Sequence, residues 1–289
     1  MLCAGFTRRF LLAILKDSAE LRRIQRGSAY HSNFRAVPRF SMPKRKESLI
    51  EKIRPYHIVA KATDSKGIFE SEEDSSRFIF QMYAANIGRP ALNLYRKDIK
   101  KAAQALLAGE QLPKGFVVKE HEPLVDIFSF ALAKDHYHLG LVPSQKEGIP
   151  QFMQKLNLAF AKYFNMKYKR QGALFEGRFA GAPIASPAQL NVILRYINIK
   201  KVLDVYESGW GAQEEQDKKT PLDFLSLYPY SSFPDLFQDR SSQLISQEVR
   251  STLRKMFGED FFTTIEDHID SSKNFMKEQA KSYKGLFLE

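Results

Sequence analysis

Apolar and polar positions change period several times along the chain, and each change predicts an element. Tyr56 to Ala60 has the composition of a strand, and the polar residues Lys61 to Gly67 that of a turn region. After Ile68 and Phe69, the acids Glu70, Glu72, Glu73 and Asp74 open a helix whose apolar positions Phe78, Met82 and Ala85 recur at four- and three-residue steps. A polar stretch over about 87–116 contains a basic helical segment, Tyr95 to Leu107, and reads as an insertion. Leu124 to Leu132 is an apolar run rich in β-formers. With Ala133 to Asp135 as the connection and His136 to Val142 as the returning strand, it predicts an antiparallel hairpin.

Beyond the hairpin the period becomes helical. Ile149, Phe152, Met153, Leu156, Phe160, Tyr163 and Phe164 form one stripe, with Lys155 and Lys162 off it. Lys167 to Phe179 then interleaves Lys167, Lys169, Arg170 and Arg178 with aromatics, which suits either a surface that grips phosphates and stacks bases or a basic loop with Phe175 and Phe179 buried. Ser186, Pro187 and Gln189 have the spacing of a capped helix start, and Leu190, Ile193, Leu194 and Ile197 continue that helix as an apolar stripe. Tyr196 lies off the centre of the stripe, and Lys200 follows one α-helical turn later on the same side. Leu244, Val249, Leu253, Met256 and Phe257 predict a last helix packed on the core or on a partner.

With 289 residues and 44% hydrophobic content the chain can bury a substantial core, and no run approaches the ~18 apolar residues of a membrane span. A formal charge of +11 with 12% aromatic residues favours a polyanionic partner, nucleic acid being the commonest. Cys3 is the single cysteine, so an internal disulfide framework and a cysteine-built zinc site are both excluded. Residues 1–41 carry eight Arg/Lys against two Asp/Glu. They suit a poorly structured extension ahead of a start at Met42, with an organellar transit peptide as the other reading.

The hairpin carries the candidate chemistry. Successive side chains on a strand point to opposite faces, so His136 and His138 share one face while Tyr137 points to the other. Two imidazoles so placed make either a metal platform that needs a third donor, or two polar residues on a solvated face.

The parts and their order resemble a known family. The strand at Tyr56, the hairpin from Val125 to Leu139, Phe152 to Leu156, Ala161 to Asn165, Gly172 to Phe179, Leu194 to Asn198 and Tyr228 to Ser232 together resemble the REP-associated tyrosine transposases. These are single-tyrosine, IS200-like transposases of the HUH (His-hydrophobe-His) superfamily. The resemblance covers about residues 50–235. It implies an α+β fold with a ferredoxin-like or RRM-like antiparallel sheet and packed helices. It also implies Mg2+ or Mn2+ held by His136 and His138, with Tyr137 in the hydrophobic slot. Tyr196 would be the nucleophile that forms a 5′-phosphotyrosine bond in single-stranded, hairpin-forming DNA. The implied setting is cytoplasmic and nucleoid-associated, with no membrane, and a homodimer is compatible with it. Residues 1–49 would then be an extension, 50–235 the transposase-like domain and 236–289 a helical C-terminal extension.

The resemblance breaks at Lys200, where the family has a polar residue that helps complete the metal shell, and at Lys201, where it has proline. An ammonium has no lone pair for a metal. Either the protein is a descendant that binds DNA without cutting it, or Lys200 acts on the Tyr196 phenol or the scissile phosphate and Asp135, His57 or His121 completes the shell. Tyr163 is a second nucleophile candidate, and water in place of Tyr196 would make a different phosphodiester hydrolase. DNA contacts are expected at Lys155, Lys162, Lys167, Lys169, Arg170 and Arg178.

Overall fold

The computed structural model describes residues 54–90, 98–112, 115–207, 219–269, 283 and 285–288. The expected extension over 1–49 and the Tyr95–Arg96 start of the insertion helix lie outside the described residues.

In chain order the first elements are β1 (Tyr56–Lys61), α1 (Glu72–Ile87), β2 (Gly88–Pro90), α2 (Ile99–Ala108) and β3 (Val117–Lys119). There follow β4 (Val125–Leu132), β5 (His136–Pro143), α3 (Gly148–Lys167), β6 (Ala180–Pro183) and α4 (Pro187–Arg195). A π-helical turn (Tyr196–Lys200) joins α4 to α5 (Lys201–Tyr206), and α6 (Lys219–Leu227), α7 (Phe233–Phe237), α8 (Gln247–Phe257) and α9 (Asp260–Thr263) complete the series.

The expected α+β architecture is present. β1, β4, β5 and β6 form one antiparallel sheet in the order β4-β5-β1-β6. The order β-α-β-β-α-β along the chain, with the first strand inserted beside the third, is the split ferredoxin-like arrangement. The insertion contributes its own two-stranded sheet, β2 with β3, and α2 beside it.

Each face of the sheet carries a layer of helices. On one side α1 and α3 bury Phe78 and Phe160 against Tyr137, with ring centroids of Phe78 and Tyr137 4.5 Å apart. The start of α1 is stitched to the end of α3 through the buried Asp74. Its Oδ1 accepts from Tyr163 (2.8 Å) and Lys167 (2.7 Å), and its Oδ2 from Tyr168 and Ser71 (both 2.6 Å). Burial alone would raise this carboxyl, but those hydrogen bonds, led by that from Lys167, hold it below the usual range. On the other side lie α4, the π turn and α5. Leu244, Val249 and Leu253 of the C-terminal region are buried in the same core cluster. Among the described residues no helix is long and apolar enough to cross a membrane.

Candidate active site

Strand register puts three histidines on one face. In the β1–β5 ladder Val59 is opposite His138 and His57 is opposite Gly140, so His57 and His138 are diagonal neighbours on the same side. Gly140 is required there by close approach, because a Cβ on it would lie 2.3 Å from the Phe128 ring. Tyr137 points the other way, into the aromatic layer, where its hydroxyl donates to Asn157 and burial pushes its phenol upward. The alternation along this strand therefore separates a chemical face from a packing face.

The His136 and His138 rings are 4.9 Å apart between centroids and nearly perpendicular. His136 Nδ1 lies 2.7 Å from the Asp135 carboxylate. His138 Nδ1 lies 2.9 Å from His57 Nε2, and His57 Nδ1 in turn lies 2.7 Å from the Leu286 carbonyl oxygen. His57 and His138 are fully buried. Burial, with His57, His136 and Lys201 around it, pushes the His138 imidazole well below its ordinary value, which keeps it neutral and able to donate a lone pair.

Tyr196 is brought to this face by α4. The start of that helix matches its sequence: Ser186 Oγ accepts from the Gln189 amide at 3.2 Å, and Gln189 Oε1 reaches back to the Ala185 amide at 2.7 Å. The Tyr196 ring then stands edge-on to both His138 (5.5 Å) and His57 (5.8 Å). At Tyr196 the winding changes to π, and the Lys201 amide donates to the Tyr196 carbonyl. A five-residue hydrogen-bonded turn returns residue 201 over residue 196. The ammonium lying 5.1 Å over the Tyr196 ring is accordingly that of Lys201. Lys200 turns instead to Asp204, which also takes Lys201 at 3.2 Å. Spacing by fours places Lys200 beside the tyrosine; the only sequence signal for Lys201 is its occurrence where a proline would stand.

A buried polar network pins the π turn to the sheet. Asn198 Nδ2 donates to Ser129 Oγ (2.9 Å) and to the Leu194 carbonyl (2.8 Å), and Ser232 Oγ donates to Asn198 Oδ1. The Phe130 amide bonds to Ser232 Oγ at 2.8 Å. The Tyr228–Ser232 motif thereby acquires a physical role as a clamp behind the tyrosine. Residues near the other end of the chain cover the site: the Phe287 ring is 4.6 Å from that of Tyr196, and the Tyr196 hydroxyl donates to the Phe287 carbonyl at 3.5 Å.

The remaining predicted residues fall elsewhere. Tyr163 lies in the α1–α3 layer across the sheet from the histidines, where burial and its bond to Asp74 push its phenol upward. Lys167 is bound to Asp74 and Glu73, and Lys155 to His121 (2.8 Å) and, at 3.9 Å, Glu120. Arg170 bonds Asn165, while Lys162, Lys169 and Arg178 are exposed. Among the described residues no group of three or more His, Cys, Asp or Glu side chains is arranged to hold a metal. The chemistry of the pair still fits a divalent cation: two imidazoles meet on one face, one of them backed by a carboxylate, as metal-bound histidines usually are. Asp135 and His57 stand behind these imidazoles, and His121 sits beside Lys155 of α3.

Residues 109–200, which include the hairpin and end one residue short of Lys201, match the family model described as "Transposase IS200 like". No curated protein matches the chain. A solved structure described as "Structure of the REP associates tyrosine transposase bound to a REP hairpin" is similar at 12% identity and a TM-score of 0.39, covering 68% of this chain and 85% of that one.

Proposed function

We propose that the chain, whose residues 109–200 match the IS200-like transposase model, nicks and rejoins single-stranded, hairpin-forming DNA with Tyr196 as nucleophile, in the manner of the REP-associated tyrosine transposases. The observation that carries this reading is the meeting of the Tyr196 ring with His138 on the face that also bears His136. The tyrosine and the histidines come from different elements, and ordinary core packing has no need of a phenol beside buried imidazoles.

His136 and His138 would hold the Mg2+ or Mn2+ ion, which supplies Lewis acidity at the scissile phosphate. The chain's own residues do the rest. The Tyr196 oxygen attacks phosphorus, a 5′-phosphotyrosine bond forms, and the bond to the 3′ oxygen breaks; the phenol gives up its proton and the leaving 3′ oxygen gains one. A phenol of ordinary pKa about 10 is a weak nucleophile at neutral pH, and a cation within ~4–6 Å favours its ionised form. The Lys201 ammonium, shared with Asp204, is the cation over the Tyr196 ring, 5.1 Å from its centre. Exposed Lys162, Lys169 and Arg178 would meet the DNA backbone, so binding should weaken steeply with salt.

The test incubates the purified full chain with labelled hairpin DNA in Mn2+, Mg2+ or EDTA, followed by denaturing electrophoresis. A metal-dependent covalent adduct that is absent in Tyr196→Phe is the expected result. A native band shift with no adduct under any metal would identify a DNA-binding protein without cleavage, and cleavage retained in Tyr196→Phe would assign the attack to water.

A further inference from the structure

His57 has no part in the chemistry above, yet it is fully buried, and both of its ring nitrogens have partners in the site. The partners fix where its proton lies. The Leu286 carbonyl can only accept, so His57 Nδ1 carries the hydrogen and donates over 2.7 Å. A neutral imidazole has one N–H, which leaves His57 Nε2 as an acceptor, and a second charge so deeply buried would be costly. The group facing that nitrogen at 2.9 Å is His138 Nδ1, which must then donate.

Ring geometry supports a true bond. The centroids are 5.2 Å apart and the planes differ by 13°. Subtracting the 2.9 Å between the nitrogens leaves about one imidazole radius for each ring, so the rings meet edge to edge and the hydrogen lies in the plane of both. A face-to-face stack would not place the nitrogens in line.

We infer that His57 is a positioning residue for the two-histidine pair: it takes the Nδ1 hydrogen of His138 in a chain that ends on the Leu286 carbonyl, and so keeps the His138 Nε2 lone pair turned toward the site. Asp135 does the same for His136 through its Nδ1. Both histidines thus present the same nitrogen, one backed by a carboxylate and the other by a third imidazole from β1. This assignment rests on the reading of His136 and His138 as the cation-holding pair.

The deciding measurement is the long-range 1H–15N spectrum of 15N-histidine-labelled, metal-free protein, combined with titration calorimetry of Mn2+ alone. Wild type should show His138 protonated at Nδ1. In His57→Phe a substantial share of His138 should carry its proton at Nε2, and Mn2+ affinity should fall about 10- to 100-fold, the range seen when such supporting partners are lost. His57→Gln, whose amide can both accept and donate, should bind Mn2+ within a few-fold of wild type and serves if the phenylalanine variant does not fold. Wild-type His138 protonated at Nε2, or wild-type Mn2+ affinity in His57→Phe, would overturn the assignment. Unchanged Mn2+ binding in His136→Ala would instead reject the two-histidine pair, and the wild-type tautomer would then decide the role of His57 by itself.

Discussion

At the scale of single residues, the ammonium over Tyr196 belongs to Lys201, and Asp204 engages both it and that of Lys200. If the nearer charge stabilises the ionised phenol, Lys201→Met should slow adduct formation about tenfold, the factor carried by one pKa unit, whereas Lys200→Met should change it by less than about threefold. Equal losses in single-turnover assays would reject that ranking. Asp74 makes a separate prediction, about stability. Its carboxyl is held below the usual range in the folded protein, so its contribution is fully present above the unfolded value near 4 and is lost as pH falls below it. The urea midpoint of wild type should therefore drop below about pH 4, and Asp74→Asn should flatten that drop while costing about 3 kcal/mol at neutral pH, since the amide removes the charge that Lys167 faces and puts a donor in place of one of the two oxygens that Tyr163, Tyr168 and Lys167 bond.

At the scale of elements, β5 holds the site by having its alternation set from both sides. Tyr137 is locked into the aromatic layer by Phe78, which leaves His136 and His138 no choice of face. Opposite His57 the strand has Gly140, and the Phe128 ring occupies the space where a side chain would go. Gly140→Ala should destabilise the fold by about 1–3 kcal/mol, the usual cost of overpacking. Combining it with Phe128→Leu should recover part of that loss in a double-mutant cycle by denaturant titration. Strict additivity of the two would indicate that the ring is not the obstacle.

At the scale of the whole molecule, the site is closed. Tyr196, His57 and His138 are buried, and Leu286 and Phe287 lie over them. If Tyr196 is the nucleophile, a DNA strand reaches the phenol once Phe287, whose ring and carbonyl contact it, moves off. Phe287→Ala removes the ring packed on Tyr196, and adduct formation should rise several-fold in single-turnover assays while hairpin affinity changes little. An unchanged rate would place the slow step elsewhere.

The histidine pair, the hairpin, the helix cap at Ser186 and the alternation at Tyr137 could be read from sequence because each depends on neighbours within a few positions, where the strand and helix periods decide which side chains share a face. The same local rule fails at Lys200 and Lys201, since one π turn shifts the register by a residue and no α-helical spacing foresees it. His57, Asn198 with Ser129 and Ser232, and the cover by Leu286 and Phe287 depend on strand order and long-range closure. The sequence by itself determined which residues carry groups able to do chemistry and, along the regular strand β5, which of them share a face. The tertiary structure alone decided which of them meet, because hydrogen bonds between residues far apart in the chain exist only once the sheet has placed β1 beside β5.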